Sequence, residues 1–445
     1  MNQLLSIGQK LYTESSYNYY TIDKFLGSGG QGEVYQAHSG NHIVALKWYF
    51  SHCIRNEINL RQRLTKAIEF GSPNNRFLWP IDVVLSHQNV EGFGYIMPLR
   101  EASYTSINDL MKGRVEISFR ALITAGIQLT DSFLQLHAKG LCYKDISFVN
   151  IFLNPDNGNI LICDNDNVTI DGDKVGNILG TLRFMAPEIV RREELPCTNT
   201  DLYSLSVLLF YMLTISHPLE GLQESKIRCF DINAQEKIYG SEPVFIFDPD
   251  NVNNRPVQGI HDNVLIFWHI YPQFLRDLFI KAFTEGLKKS KHSRVTESIW
   301  RANMVRLRDS ILYCSHCGAE NFYDSNVIKS SDNNLIACWS CKEPAPIPVQ
   351  IHIGQNIIML NHDTQLFPHH IDDNKLYEFS QPVAEVTQHP HKSNIWGLKN
   401  LSEIQWITTT NEDKINHVDP GRSIILSAGL KINFGNSLGE ICLGK

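Results

Sequence analysis

Asp145, Asn150 and Asp164 are spaced as phosphoryl-transfer chemistry requires. Asp145 lies in Tyr143-Lys144-Asp145-Ile146, Asn150 follows in a D-x-x-x-x-N register, and Asp164 ends the apolar stretch Asn159-Ile-Leu-Ile-Cys163. One carboxylate can take a hydroxyl proton, while the amide oxygen and the second carboxylate can hold magnesium. Such a trio also recurs by chance, so the elements around it decide. The apolar stretch before Asp164 reads as a strand that hands the carboxylate to a loop. Upstream, Leu26-Gly27-Ser28-Gly29-Gly30-Gln31-Gly32-Glu33-Val34-Tyr35 carries a G-x-G-x-x-G pattern. A dinucleotide fingerprint would open a helix after its last glycine. Here Glu33 to Ala37, a Ser39-Gly40-Asn41 turn and Ile43 to Lys47 read as strand, turn, strand. The pattern predicts a hairpin whose glycine flap brings backbone N–H groups to phosphates, with Lys47 on the next strand to meet them.

With these parts in order, the chain resembles the eukaryotic-like protein kinases over roughly residues 20–305. Glu57, in the helical run Ile54 to Leu64, stands where such a kinase carries the ion-pair partner of its phosphate-binding lysine, with Glu69 the fallback. Gly180-Thr181-Leu182-Arg183-Phe184-Met185-Ala186-Pro187-Glu188 resembles the segment that closes an activation loop. Asp201 stands where the family's buried helix begins, and Arg294 resembles the late arginine that pairs with Glu188. The resemblance implies an α+β bilobal kinase fold, with a β-rich N-lobe and a helical C-lobe. It implies ATP and magnesium as cofactors and a protein serine or threonine hydroxyl as acceptor. The catalytic set would be Lys47, Glu57, Asp145, Asn150 and Asp164, with Asn150 and Asp164 on magnesium. The nucleotide site would be formed by Leu26, Gly27, Ser28, Gly29, Gly30, Gln31, Gly32, Val34, Ala45, Lys47 and Met97.

Three departures from the family pattern stand out. Tyr143 and Lys144 replace the histidine and arginine of HRD, and lysine lacks the planar fork of arginine. Ser147 replaces the lysine two positions after the catalytic aspartate, which removes a cation from the γ-phosphate. Asp164-Asn165-Asp166 replaces DFG, so the ring that sets the active state is gone. Asp166 is expected to be a solvated charge on the activation loop, with weak metal binding as the alternative. These changes keep a second reading open, a nucleotide-binding pseudokinase that acts as a scaffold or regulator of a partner phosphatase. Between Asp164 and Glu188 the only hydroxyl residues are Thr169 and Thr181, so phosphate-driven ordering of the segment has little to act on.

At 445 residues the chain has room for about three domains. A net charge of −7 argues against bulk binding to nucleic acid or anionic lipid. The N-terminus lacks a basic region followed by an apolar core, and Leu202 to Ile215 falls short of the ~20 residues of a membrane span, so a cytoplasmic location is expected. Among the ten cysteines, Cys314-Ser-His-Cys317 and Cys338-Trp-Ser-Cys341 have the spacing of a four-cysteine zinc ribbon, here over 310–345. Four thiolates leave no open coordination position, which makes the site structural. Pro344-Ala-Pro-Ile-Pro348 reads as a linker.

From there, residues 346–445 alternate short apolar runs with turn residues, the pattern of a small β-sandwich. It resembles a divergent forkhead-associated domain at Ile353-Gly354, Leu366 to Ile371, Gly397 to Ser402 and Lys431 to Gly435. Gln355 occupies the position of that family's phosphothreonine-gripping arginine, which favours docking over phosphopeptide reading. Residues 1–19 form an N-terminal extension ahead of the kinase-like region, 20–305. The whole combination resembles bacterial kinases of the phosphorylation triads associated with tellurite resistance. That resemblance implies a metal-dependent protein phosphatase and a von Willebrand A-type protein as partners.

Overall fold

The computed structural model describes residues 3–56, 59–85, 92–173, 179–287, 293–324 and 336–443. It divides into two compact units, Met1–Trp268 with Arg276–Ala302, and His269–Leu275 with Asn303–Lys445. The first unit has the expected two lobes, one β-rich and one helical.

In the β-rich lobe, β1 (Lys10–Thr13), β2 (Tyr19–Ser28), β3 (Gly32–Ser39), β4 (His42–Tyr49), β5 (Asp82–Leu85) and β6 (Phe93–Pro98) close a barrel in the order β1-β2-β3-β4-β6-β5. The segment ahead of residue 20 thus supplies β1, which joins β2 to β5. Alternation along β4 feeds two cores. Val44, Leu46 and Trp48 pack inside the barrel with Tyr35, Ala37 and Ile96. Ala45 and Tyr49 turn the other way, against Leu60 and Leu64 of the helix Leu60–Phe70. Lys47 shares that second face, which is why it is buried while its neighbours on both sides are apolar. Gly32 lets β3 cross β4, since a Cβ there would stand 2.2 Å from the Trp48 carbonyl oxygen.

The helical lobe is organised by Phe119–Ala138 and Thr198–Thr214. Ser118 caps the first, its hydroxyl accepting from the Ala121 N–H at 3.1 Å. Leu122, Ala125, Leu129, Phe133 and Leu136 recur at helical spacing along its buried face. The second helix is buried on nearly all sides, so it forms the centre of its lobe. Among the described residues no helix is long and apolar enough to cross a membrane.

In the second unit, Ile311–Tyr313 pairs with Glu320–Phe322, and Ile336–Ala337 pairs with Pro344–Ala345. The first two residues of the proline-rich stretch are therefore strand, not linker. Tyr271 packs on Phe322 and the Gln273 N–H donates to Asp324, which ties His269–Leu275 to this unit. Beyond the hairpins, a six-stranded and a four-stranded sheet share one core that includes Ile351, Leu398, Trp406, Ile432 and Ile441. Gln355 is exposed in the turn of the hairpin Gln350–Ile353 with Asn356–Met359. His369 and His370 are buried.

Candidate active site

The predicted hairpin is β2 with β3, and its tip, Gly29 to Gln31, is closed by a Gly29 N–H to Gly32 carbonyl bond of 2.9 Å. Leu26, Ser28, Gly29 and Gly30 are exposed, Gly27 and Gln31 half-buried and Gly32 buried. A Cβ on Gly27, Gly29 or Gly30 would meet nothing within 4 Å, so internal packing leaves space over this flap. Ala45 and Met97 are register partners and pack with Val34 in one apolar cluster. Ala45 and Met97 are buried and Val34 is half-buried.

Lys47 projects from β4 with its ammonium surrounded by oxygen. Nζ donates to Gln31 Oε1 at 2.8 Å, to Asp164 Oδ1 at 3.0 Å, and to Asp166 at 3.0 and 3.2 Å. Burial alone would push the lysine pKa down, but Asp166 and Asp164 outweigh it and hold the ammonium above its ordinary value. The strand Ile160–Ile162 delivers Asp164, as its apolar pattern requires. Asp164 then adopts a left-handed backbone with φ of 54°, a costly conformation for a non-glycine residue and one typical of functional turns.

Asp166 overturns the expectation of a solvated charge. It is fully buried, and it accepts from Tyr49 at 2.5 Å and from Tyr95 at 3.2 Å besides Lys47. Burial would raise its pKa, but Lys47 and the Tyr49 hydroxyl hold it below the ordinary carboxylate range. Asn165 stands where the DFG ring would pack, and its amide donates to the Leu78 and Ile162 carbonyls at 2.9 Å. Asn167 accepts from Gln31 at 3.2 Å. Glu57 lies outside the described residues, and the fallback Glu69 is exposed. From the same helix Arg63 faces the site instead, donating to the Asp166 carbonyl at 3.1 Å.

Asp145 is held by three donors. Thr181 gives both its N–H, at 2.8 Å, and its hydroxyl, at 2.7 Å, to Asp145 Oδ1. Asn150 Nδ2 donates to Asp145 Oδ2 at 3.1 Å and to the Asp145 carbonyl at 2.9 Å. Ser147 is buried, and its hydroxyl has no partner among the described residues. Asp201 fixes the loop from below by accepting from the Tyr143 N–H at 2.6 Å and the Lys144 N–H at 3.0 Å. Asp201 in turn meets His137 Nε2 at 3.2 Å, while His137 Nδ1 bonds Glu297. Burial disfavours charge on His137, but Asp201 and Glu297 outweigh it and raise its pKa to about 9. The expected pair of Arg294 and Glu188 forms at 2.5 Å, almost fully buried.

Sequence reasoning noted Asn165 and Asp166 but missed their roles, and it missed Gly94 altogether. A Cβ on Gly94 would stand 2.2 Å from the Lys47 carbonyl oxygen, so glycine lets β6 lie against β4 at the lysine. Tyr49 and Tyr95 were the available signal: one lies two residues beyond Lys47 on the same face, and the other is its cross-strand partner.

Residues 20–298 match the family model described as the protein kinase domain. The probable serine/threonine-protein kinase CCRP1 of Zea mays is 24% identical over 223 residues, covering 47% of this chain and 34% of that protein. Serine/threonine-protein kinase PknD of Protochlamydia amoebophila is 26% identical over 235 residues, 46% of this chain and 24% of that protein. Serine/threonine-protein kinase PknE of Mycobacterium bovis is 26% identical over 213 residues, 46% of this chain and 36% of that protein. The matched region spans about a third or less of these relatives' lengths. The family model covers more than half of the chain, and the chain belongs to the protein kinase family.

Proposed function

We propose that this chain is a magnesium-dependent protein serine/threonine kinase that transfers the γ-phosphate of ATP to a protein hydroxyl. The reading is supported by two bonded sets, Lys47 with Asp164 and Asp145 with Thr181 and Asn150, joined where the Cys163 N–H donates to the Asn150 carbonyl at 2.9 Å. In this role Lys47 binds the phosphates and Asp145 accepts the proton of the attacking hydroxyl. Asn150 and Asp164 would hold magnesium, which supplies charge neutralisation to the phosphates. The half-exposed Asp164 side chain and the Asn150 amide oxygen suit a hard cation. Incubation of wild type and Asp145→Asn with labelled ATP and magnesium tests this. Incorporation by wild type and its near-complete loss in the variant is expected, whereas equal incorporation by both, or none by either, removes the catalytic reading. The pseudokinase alternative draws on Ser147 and the altered DFG, and it gains if nucleotide binds without turnover.

The four-cysteine cluster of Cys314, Cys317, Cys338 and Cys341 is proposed as a structural zinc site in a ribbon over 310–345. Ligands at ~2.3 Å in a tetrahedron stand ~3.8 Å apart. The Cys314–Cys341 and Cys317–Cys338 sulfurs are each 3.7 Å apart, and all four lie within 4.8 Å of one another. The two-sheet region over 346–445 is proposed as a forkhead-associated-like docking domain that does not read phosphothreonine. The exposed amide of Gln355 brings no positive charge to repay phosphate desolvation. A metal-dependent phosphatase and a von Willebrand A-type protein are its proposed partners, in the cytoplasm. A pull-down with the full chain against both tests this, and phosphate-dependent capture of a phosphothreonine peptide would refute the non-reader claim.

A further inference from the structure

We infer that Asp166, the last residue of the altered metal loop, is the positioning residue of Lys47 and takes the role that a helix-borne glutamate has elsewhere. The inference rests on the kinase reading, and it deepens that reading at the lysine. A carboxylate offers about four lone-pair positions. Asp166 fills them with four contacts: Lys47 bonds both oxygens, Tyr49 takes Oδ2 and Tyr95 takes Oδ1. These contacts occupy both carboxylate oxygens and favour pairing with Lys47 over metal binding. The charge is fully buried, so its pairing with Lys47 is not screened by solvent.

The lysine's other two partners have competing duties. Gln31 belongs to the glycine flap, which must admit phosphates, and Asp164 is the proposed magnesium ligand. When both turn to the nucleotide, Asp166 remains. The ammonium is then fixed by the metal loop and by β4 and β6. The helix Leu60–Phe70 meets the pair through Arg63, which donates to the Asp166 backbone carbonyl, and through Leu60 and Leu64 packed against Tyr49.

Asp166→Asn keeps the shape and removes the charge. It should raise the KM for ATP about 10-fold or more, with a smaller fall in kcat, because ground-state phosphate binding loses its aligned cation. An adenosine analogue carrying a sulfonyl fluoride gives a readout independent of turnover. Labelling of Lys47 at saturating analogue should slow in Asp166→Asn by about 5-fold or more, since an amine no longer held by Asp166 is poorly aligned with the bound electrophile. Asp166→Glu restores the charge with one added methylene, so labelling should return toward the wild-type rate and the KM should fall between the other two. If Asp166→Asn does not fold, Asp166→Glu alone decides through its raised KM.

Wild-type KM and labelling in folded Asp166→Asn would overturn the assignment. So would larger shifts in Glu57→Gln than in Asp166→Asn, or a wild-type KM in Asp166→Glu where it is the deciding variant. A purely structural role would lower the melting temperature without changing labelling per folded molecule, which also overturns it. Should the wild type bind ATP without turning it over, the kinase reading fails and the labelling arm still tests Asp166.

Discussion

His137 links the catalytic loop to pH. Its Nε2 meets Asp201, the carboxylate that holds the Tyr143 and Lys144 amides beside Asp145, and its Nδ1 bonds Glu297. The imidazolium pKa rises from 6.5 to about 9 on folding. A raised pKa contributes stability that is fully present below the unfolded value and disappears as pH rises through the folded one. For this shift the linkage relation gives about 3 kcal/mol at pH 6, about 2 at pH 7.5 and under about 0.5 at pH 9. The side chain is only 9% exposed, so solvent screening takes little from these figures. His137→Gln removes the titration while keeping a polar end. Because the two-unit chain need not unfold in one step, the assay should be local. Hydrogen exchange of the Tyr143 and Lys144 amides, corrected for intrinsic rates, reports the opening free energy of the loop. Wild-type protection should fall by roughly 2 to 3 kcal/mol between pH 6 and pH 9, and the variant should lack that slope. Activity should decline over the same range. If wild type and His137→Gln share one pH dependence, the charged-bridge account is wrong.

Three further outcomes follow from buried contacts and the thiol cluster. Arg294→Ala would strand the Glu188 carboxylate, which is almost fully buried, and should cost about 3–5 kcal/mol by calorimetry; Arg294→Met with Glu188→Leu should cost less. Gly94→Ala places a methyl 2.2 Å from the Lys47 carbonyl oxygen, so β4 must shift at the lysine, and the ATP KM should rise alongside a destabilisation of about 1–3 kcal/mol. A variant with wild-type KM and melting temperature would show that the strands yield elsewhere. Chelation, or Cys338→Ser, should remove about one zinc per chain and raise exchange around 310–324 and 336–345, with turnover largely retained. Metal analysis finding well under one zinc in the wild type refutes the site.

What the sequence made legible depended on whether a residue's role was local. The flap, the strand bearing Lys47, the strand ahead of Asp164 and the two CxxC knuckles are short-range patterns, and the structure has each of them. The pair of Arg294 and Glu188 was legible only through resemblance, because more than a hundred residues separate its members. Asp166 was misread because its surroundings are set by pairing. Asp-Asn-Asp-Asn looks like an exposed turn, and nothing local says that Tyr95 will stand opposite Lys47, or that Tyr49 will share its face. Once β6 lies against β4, the lysine and two hydroxyls form a polar pocket between apolar cores, and Asp166 is the fully buried carboxylate that meets all three, beside the half-exposed Asp164. The neighbouring substitutions have the same logic. A loop without a ring to pack cannot be fixed by apolar burial, so Asn165 is tied to two backbone carbonyls, Asp166 to β4 and β6, and Asn167 to the glycine flap. Apolar packing tolerates small displacements, whereas directional hydrogen bonds weaken steeply with angle. The altered loop therefore trades the mobility of a packed ring for a fixed position, and that fixed position holds the lysine.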